Sequence, residues 1–146
     1  MKKVRISNIP ITTEAELSAL AAIGGGALSS FTGIVRDHGG VTAIELEHYP
    51  DMTEACLSQL IEAAKARWSL LGAVVTHRVG IVPVGVPVVV IGVASLHRAE
   101  ALEATAFLID RLKTEAPFWK REHYADGTAK WVEAKLSDDT RSERWA

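Results

Sequence analysis

The stretch that most constrains the fold runs from Val86 to Lys120, VPVVVIGVASLHRAEALEATAFLIDRLKTEAPFWK. Val86 to Ala94 is apolar on both alternating faces, which predicts a central strand covered on both sides. His97-Arg98 follows at the strand's end, and Ser95 is placed to cap a helix from about Ala99 to Thr114. That helix carries a stripe of Leu102, Thr105, Ala106, Ile109 and Leu112, has Lys113 in its last turn, and stops before Pro117. The chain then re-extends through Phe118-Trp119-Lys120-Arg121. Cationic and titratable groups thus stand at the junctions of regular elements, where side chains can converge on a small anion. The rest of the chain reads as scaffold for them.

The scaffold has room for one domain: 146 residues bury roughly two-thirds of the surface an unfolded chain exposes. With 48% hydrophobic and 23% charged residues the chain is of the folded, soluble kind. Its 16 basic and 18 acidic residues give a net charge of -2, which supplies no general field for nucleic acid. Any anion affinity must come from a local cluster. The single cysteine, Cys56, excludes an internal disulfide framework and a cysteine-only zinc site, and fits a reducing compartment. MKKVRISNIP at the start has no apolar run of signal-peptide length. Val79 to Leu96 is broken by Gly80, Pro83, Gly85, Pro87 and Gly92, so it reads as turn plus strand, with no membrane span. A cytoplasmic protein is expected.

Along the chain, Val4 to Ile6 predicts a short strand. Thr13-Glu14-Ala15-Glu16 matches a capping box opening a helix to about Ala22, and Gly24-Gly25-Gly26 stops it. A phosphate loop follows a strand and opens a helix; here the order is helix, glycines, strand. Ala27 to Val35 and Val41 to His48 read as strands of a hairpin whose loop carries Arg36 and His38 and turns at Gly39-Gly40. Asp51 is placed to cap a second helix with Leu57, Leu60, Ile61, Ala64 and Trp68 on one face. Ala73 to Val79 is a further strand. After Pro117, WKREHY and KWVEAKL flank Asp126-Gly127 and predict a second hairpin. Residues 1–136 form the domain, and 137–146 is a polar tail, apart from Trp145, expected to be disordered or held by a partner. Strands outnumber helices and connections are short, so the class is α+β, a largely antiparallel sheet flanked by helices.

The basic residues carry the chemistry. A cation in a helix's first turn opposes the dipole, a local cost that makes sense where His97 and Arg98 bind an anion. The plainer reading makes Arg98 solvated and His97 a hydrogen-bonded core residue. Lys113 suits the last turn of a helix for structural reasons alone. Lys120 follows two aromatics and precedes Arg121, and partial desolvation there would make it a base or nucleophile. Five histidines show no HxH or HExxH spacing and no accompanying carboxylate-rich loop, so no metal site is expected. His77-Arg78 reads as structural. The residues alone predict an anion pocket of Arg36, His97, Arg98, Lys113 and Lys120 and do not name a reaction.

Read together, FTGIVRDH (Phe31 to His38), LEHYPDMTE (Leu46 to Glu54), HRVG (His77 to Gly80), SLHRAEA (Ser95 to Ala101), LKTEAPFWKRE (Leu112 to Glu122) and WVEA (Trp131 to Ala134) resemble the large, catalytic subunit of molybdopterin synthase. The resemblance spans roughly Val4 to Lys135. It implies an α/β hammerhead fold and a homodimer that binds two small ubiquitin-like sulfur carriers, making a heterotetramer. It implies that the carrier's C-terminal Gly-Gly tail, as a thiocarboxylate, delivers sulfur to cyclic pyranopterin monophosphate to give the dithiolene molybdopterin, with no resident cofactor. Neither nucleic acid nor membrane is an implied partner. The family's catalytic lysines fall on Lys113 and Lys120. Its substrate contacts fall on Ile34, Val35, Arg36, His97, Arg98, both lysines, Arg121 and Glu122. The chain departs from the family in its short loop after Arg36, in its apolar Pro83–Pro87 turn, and in Lys135, where some relatives carry an arginine reaching the neighbouring subunit's pocket. The competing reading is a non-catalytic module that binds a carrier tail or another anion, which would need charge but not two lysines at those positions.

Overall fold

A computed structural model of the chain describes residues 3–132 and 136–146. In chain order its elements are β1 (Val4–Ser7), α1 (Thr13–Ala21), β2 (Ala27–Ile34), β3 (Val41–His48), α2 (Pro50–Arg67) and β4 (Gly72–Arg78). Then come β5 (Gly80–Pro83), β6 (Pro87–Ser95), α3 (Arg98–Glu115), β7 (Phe118–Tyr124), β8 (Ala129–Val132) and α4 (Leu136–Glu143).

The apolar strand β6 organises the first sheet, whose order is β1-β4-β6-β2, antiparallel except for the β1–β4 pair. Val89, Ile91 and Val93 pack with Leu57, Leu60 and Ile61 of α2 and Leu108 and Leu112 of α3. The other face of the sheet receives α1, where Leu20 and Leu17 meet Val74 and Ala94. Gly92 makes room for that helix, since a Cβ there would lie 2.5 Å from Leu20 Cδ1. β6 is therefore covered on both sides, as its composition predicts. The second sheet, β5-β3-β7-β8, is antiparallel throughout. Its inner face, with Leu46 and Val82, closes over Val35, Val86, Val88 and Phe118.

The fold is thus α+β, with two sheets in place of one. β2 and β3 do not form the expected hairpin. β2 pairs along its length with β6, while β3 pairs with β5 and β7, so Arg36–Gly40 crosses from one sheet to the other. The continuous pairing of β2 with β6 from Ala27 to Ile34 outweighs the local turn signal at Gly39-Gly40. The β7–β8 hairpin does form, and Asp126 Oδ1 accepts from Thr128 N and Oγ within its loop.

The caps also differ from expectation. α1 has Thr12 at its N-cap with no side-chain cap bond, and Glu16 instead pairs with Arg5 on β1. α2 begins with Tyr49 at the N-cap and Pro50 at the first helical position, and Asp51 lies in the first turn. Thr53 Oγ accepts from Tyr49 N and donates to Pro117 O at 3.0 Å, pinning the start of α2 to the α3–β7 junction. His97, not Ser95, is the N-cap of α3, and Ser95 Oγ donates to the His97 carbonyl. The buried face of α3 is Ala101, Ala104, Thr105, Phe107, Leu108 and Leu112, while Leu102 is 59% exposed. Small residues at 101 and 104 let the helix lie close to the sheet, which rotates Leu102 outward. The polar tail is largely helical. It forms α4, packed on α3, where Asp110 Oδ2 accepts from Trp145 Nε1 at 2.7 Å and from Arg144 Nε at 3.0 Å. Lys135 lies outside the described residues. Among those described, no helix is long and apolar enough to cross a membrane.

Candidate active site

β6 ends at Ser95, and α3 returns across β6 and β2, so the last turn of α3 comes back toward Pro87, where β6 begins. The same end of the first sheet holds the ends of β2 at Ile34 and of β4 at His77-Arg78, because Ile34 pairs with Pro87 and His77 with Val89. Lys113 belongs to this end. His77 registers its presence: burial, with smaller contributions from the charges of Lys113 and His48, pushes the imidazole down to about 4, against a 2.8 Å bond to the Arg78 carbonyl. The ring is neutral and lies on Phe118 with centroids 4.0 Å apart. His48, the cross-strand partner of Phe118, also stacks with it, with centroids 6.3 Å apart.

Phe118 opens β7, and Lys120 follows two residues later on the same face. Lys120 sits opposite Leu46 on β3 and Val132 on β8, half-buried on the inner side of the second sheet. The segment is clamped on both sides, by Thr53 on the Pro117 carbonyl and by Tyr49 edge-on to Trp119 at 4.5 Å. Arg36 reaches the same corner from β2. The preceding Val35 is buried with Leu46 and Val82, its amide donates to Val86 O at 3.2 Å, and its carbonyl accepts from Gly85 N at 2.9 Å. Arg36 thus follows a residue packed on Leu46, the cross-strand partner of Lys120. Glu122, one step further along the inner face, pairs with His38 Nε2 at 2.9 Å.

Strand alternation sends Arg121 to the opposite face from Lys120. There its Nη2 donates to Glu45 Oε1 at 2.9 Å and its guanidinium lies 4.9 Å from the Trp131 ring centroid. Hydrogen bonds from His123 and Arg121 hold the Glu45 carboxyl below its usual range. His97 and Arg98 are separated more widely. They are exposed at the N-terminal end of α3, about 22 Å along the helix axis from Lys113. One chain therefore groups Ile34, Val35, Arg36, Lys113, Lys120 and Glu122, and leaves Arg121 and His97-Arg98 elsewhere. The five-residue pocket read from the basic residues does not close within a single chain.

The corner offers cations around a neutral aromatic wall of His77 and Phe118. Such an arrangement binds anions and stabilises negative charge that develops on a carbonyl or thiocarbonyl. It holds no sulfur nucleophile. Cys56 is on α2, half-buried, its Sγ donating to Glu115 O at 3.4 Å, and burial raises its pKa. Among the described residues no group of His, Cys, Asp and Glu is placed to hold a metal. The sequence places His38 in the loop after β2 and His48 on one face of its strand with Ile44 and Leu46, without giving either a role; the partner of His38, Glu122, lies far along the chain.

The family model described as MoaE protein matches residues 6–115. A molybdopterin synthase catalytic subunit from Ralstonia nicotianae is 45% identical over 99% of this chain and 85% of its own length. The chain belongs to the MoaE family of molybdopterin synthase catalytic subunits. Its fold is that of the family: a solved MoaE protein of molybdopterin biosynthesis from Burkholderia ambifaria superposes with a TM-score of 0.85 at 41% identity, covering 99% of this chain and 98% of that one. A complex of subunits 1 and 2 of molybdopterin-converting factor from Helicobacter pylori contains a chain that matches with a TM-score of 0.75 at 25% identity, with 92% of each chain covered. In this MoaE-family chain the family match takes in Arg36, His97, Arg98 and Lys113, and the Ralstonia relative extends the likeness across Lys120.

Proposed function

We propose that this MoaE-family chain transfers sulfur from the thiocarboxylated Gly-Gly tail of a small ubiquitin-like carrier to cyclic pyranopterin monophosphate, two carriers in turn yielding the dithiolene. The observation that carries this reading is that Lys113 acts on the buried His77, whose ring stacks on Phe118 two residues before Lys120, at an end of the fold that holds no thiol. Substrate phosphate and carrier tail are both anionic, so the cations have work to do. The sulfur must be borrowed. The two-subunit complex of the Helicobacter pylori relative supports a small protein partner.

Lys120, fixed beside Phe118, polarises the thiocarboxylate and stabilises charge as sulfur attacks the pterin side chain. Lys113, on the solvent side of the corner, moves protons or bonds transiently to the carrier's terminal carbonyl. Arg36 holds the phosphate. The distance of His97-Arg98 from this corner supports a homodimer in which a second copy of the chain brings that pair to the lysines.

The test is turnover with purified thiocarboxylated carrier and cyclic pyranopterin monophosphate, reading the dithiolene product as its oxidised fluorescent derivative. Product above a carrier-only control is expected. Carrier binding without product would point to a non-catalytic binding module or a different substrate.

A further inference from the structure

The crossing from β2 to β3 is fixed at its ends by backbone bonds. Val35 is tied to the β5–β6 turn, and the Gly40 carbonyl accepts from Ala125 N at 3.1 Å. Between these ties Arg36 and Asp37 are exposed, the His38 carbonyl accepts from Val41 N at 3.0 Å, and the His38 ring makes two further contacts. Its Nδ1 lies 3.2 Å from the Arg36 carbonyl oxygen, and its Nε2 lies 2.9 Å from Glu122 Oε2. Both partners are oxygen acceptors, and the ring turns one nitrogen to each. Glu122 is itself steadied by Tyr124, whose hydroxyl donates to Oε1 at 3.4 Å. Glu122 shares the inner face of β7 with Lys120. The ring therefore links the backbone of the arginine to the strand of the lysine.

We propose that His38 is a positioning residue: it ties the Arg36 backbone to Glu122 and so sets the Arg36 guanidinium over the Lys120 corner to receive the phosphate of the substrate. This rests on the sulfur-transfer reading above. An ion pair exposed to this degree contributes little to stability, with the His38 side chain 47% accessible. A purely structural role would therefore leave both melting and kinetics nearly unchanged. A positioning role shows in substrate binding, because a misplaced clamp loses the oriented contact while the chemistry at the lysines remains.

The experiment compares steady-state kinetics of wild type, His38→Ala and His38→Gln, with hydrogen exchange followed in the peptide spanning residues 35–41. His38→Ala is expected to raise KM for the pyranopterin about tenfold with kcat held within about threefold. His38→Gln, whose amide nitrogen can still donate to Glu122, recovers most of that loss. On a Glu122→Ala background, His38→Ala adds less than about twofold, since its partner is already gone. The loop peptide exchanges faster in His38→Ala than in wild type. An unchanged KM, an equal defect in the Gln variant, or unchanged loop exchange overturns the proposal. If wild type itself makes no product, the sulfur-transfer reading fails, and the exchange comparison still decides whether His38 tethers the loop.

Discussion

The imidazole of His77 lies flat on the ring of Phe118, with an interplanar angle of 22°. The contact joins the first sheet to the strand that carries Lys120. Burial holds the folded-state pKa at about 4, whereas the unfolded chain titrates near 6.5. Between these values the unfolded state binds more protons, so stability falls as the solution is acidified. The contribution of neutral His77 is complete above about pH 6.5 and is lost as pH drops toward about 4, a change of about 3 kcal/mol. Urea unfolding midpoints across that window should fall more steeply for wild type than for His77→Phe, which keeps the stack and cannot titrate. Parallel curves would show that the buried imidazole is not the cause.

The lysines should separate from Arg121. Lys113→Ala and Lys120→Ala are each expected to lower kcat by at least about tenfold while leaving the melting temperature within about 3 °C. Arg121 braces the outer face through Glu45 and Trp131, so Arg121→Ala should act more on melting than on kcat. Turnover within about threefold of wild type in both lysine variants would remove the proposed roles.

The resemblance expects both Lys120 and Arg121 at the substrate, whereas period-two alternation puts them on opposite faces. The β7–β8 hairpin, whose turn is local at Asp126-Gly127, and the apolar face of α2 were legible in the sequence. What was not legible was choice among distant partners. Gly39-Gly40 signals a turn and cannot announce that β2 will be claimed by β6. Glu16 has the spacing of a capping box, and Arg5 on another element takes it instead. His97-Arg98 and Lys113 are close in sequence, but they stand at opposite ends of α3. A stretch of chain reports which residues flank an element, and helix length decides whether they can share a ligand.

The glycine run after α1 illustrates a local constraint that does hold. Gly24 has φ of 101° with open space where a Cβ would go, whereas Gly25 combines φ of 94° with positions 2.5 Å from Leu71 Cδ1 and 2.6 Å from the Ser95 carbonyl oxygen. Gly24→Ala meets only backbone strain, about 1 kcal/mol. Gly25→Ala must also push against the end of β6, so its loss of stability should be at least about twice as large. Thermal melts of the two variants make the comparison. Equal losses would mean that Ser95 and Leu71 yield at no cost.

Asp110 should decide whether the C-terminal segment stays on the domain. Its carboxylate, on the buried side of α3, takes the Trp145 indole N–H at 2.7 Å and Arg144 at 2.9 to 3.0 Å. Trp145 is seated edge-on against Trp68 and Phe107, and Arg67 Nη1 donates to its carbonyl at 2.7 Å. Asp110→Ala strands both the indole donor and the guanidinium, a loss of about 2 to 3 kcal/mol for bonds to a charged group. Asp110→Asn keeps an acceptor for the indole and loses the charge that holds Arg144, so it should fall between Ala and wild type. Trypsin should then cleave after Arg141 and Arg144 fastest in the Ala variant, with tryptophan emission shifted to the red as Trp145 leaves Trp68. Protection equal to wild type in Asp110→Ala would mean that aromatic packing and Arg67 hold the segment without the carboxylate.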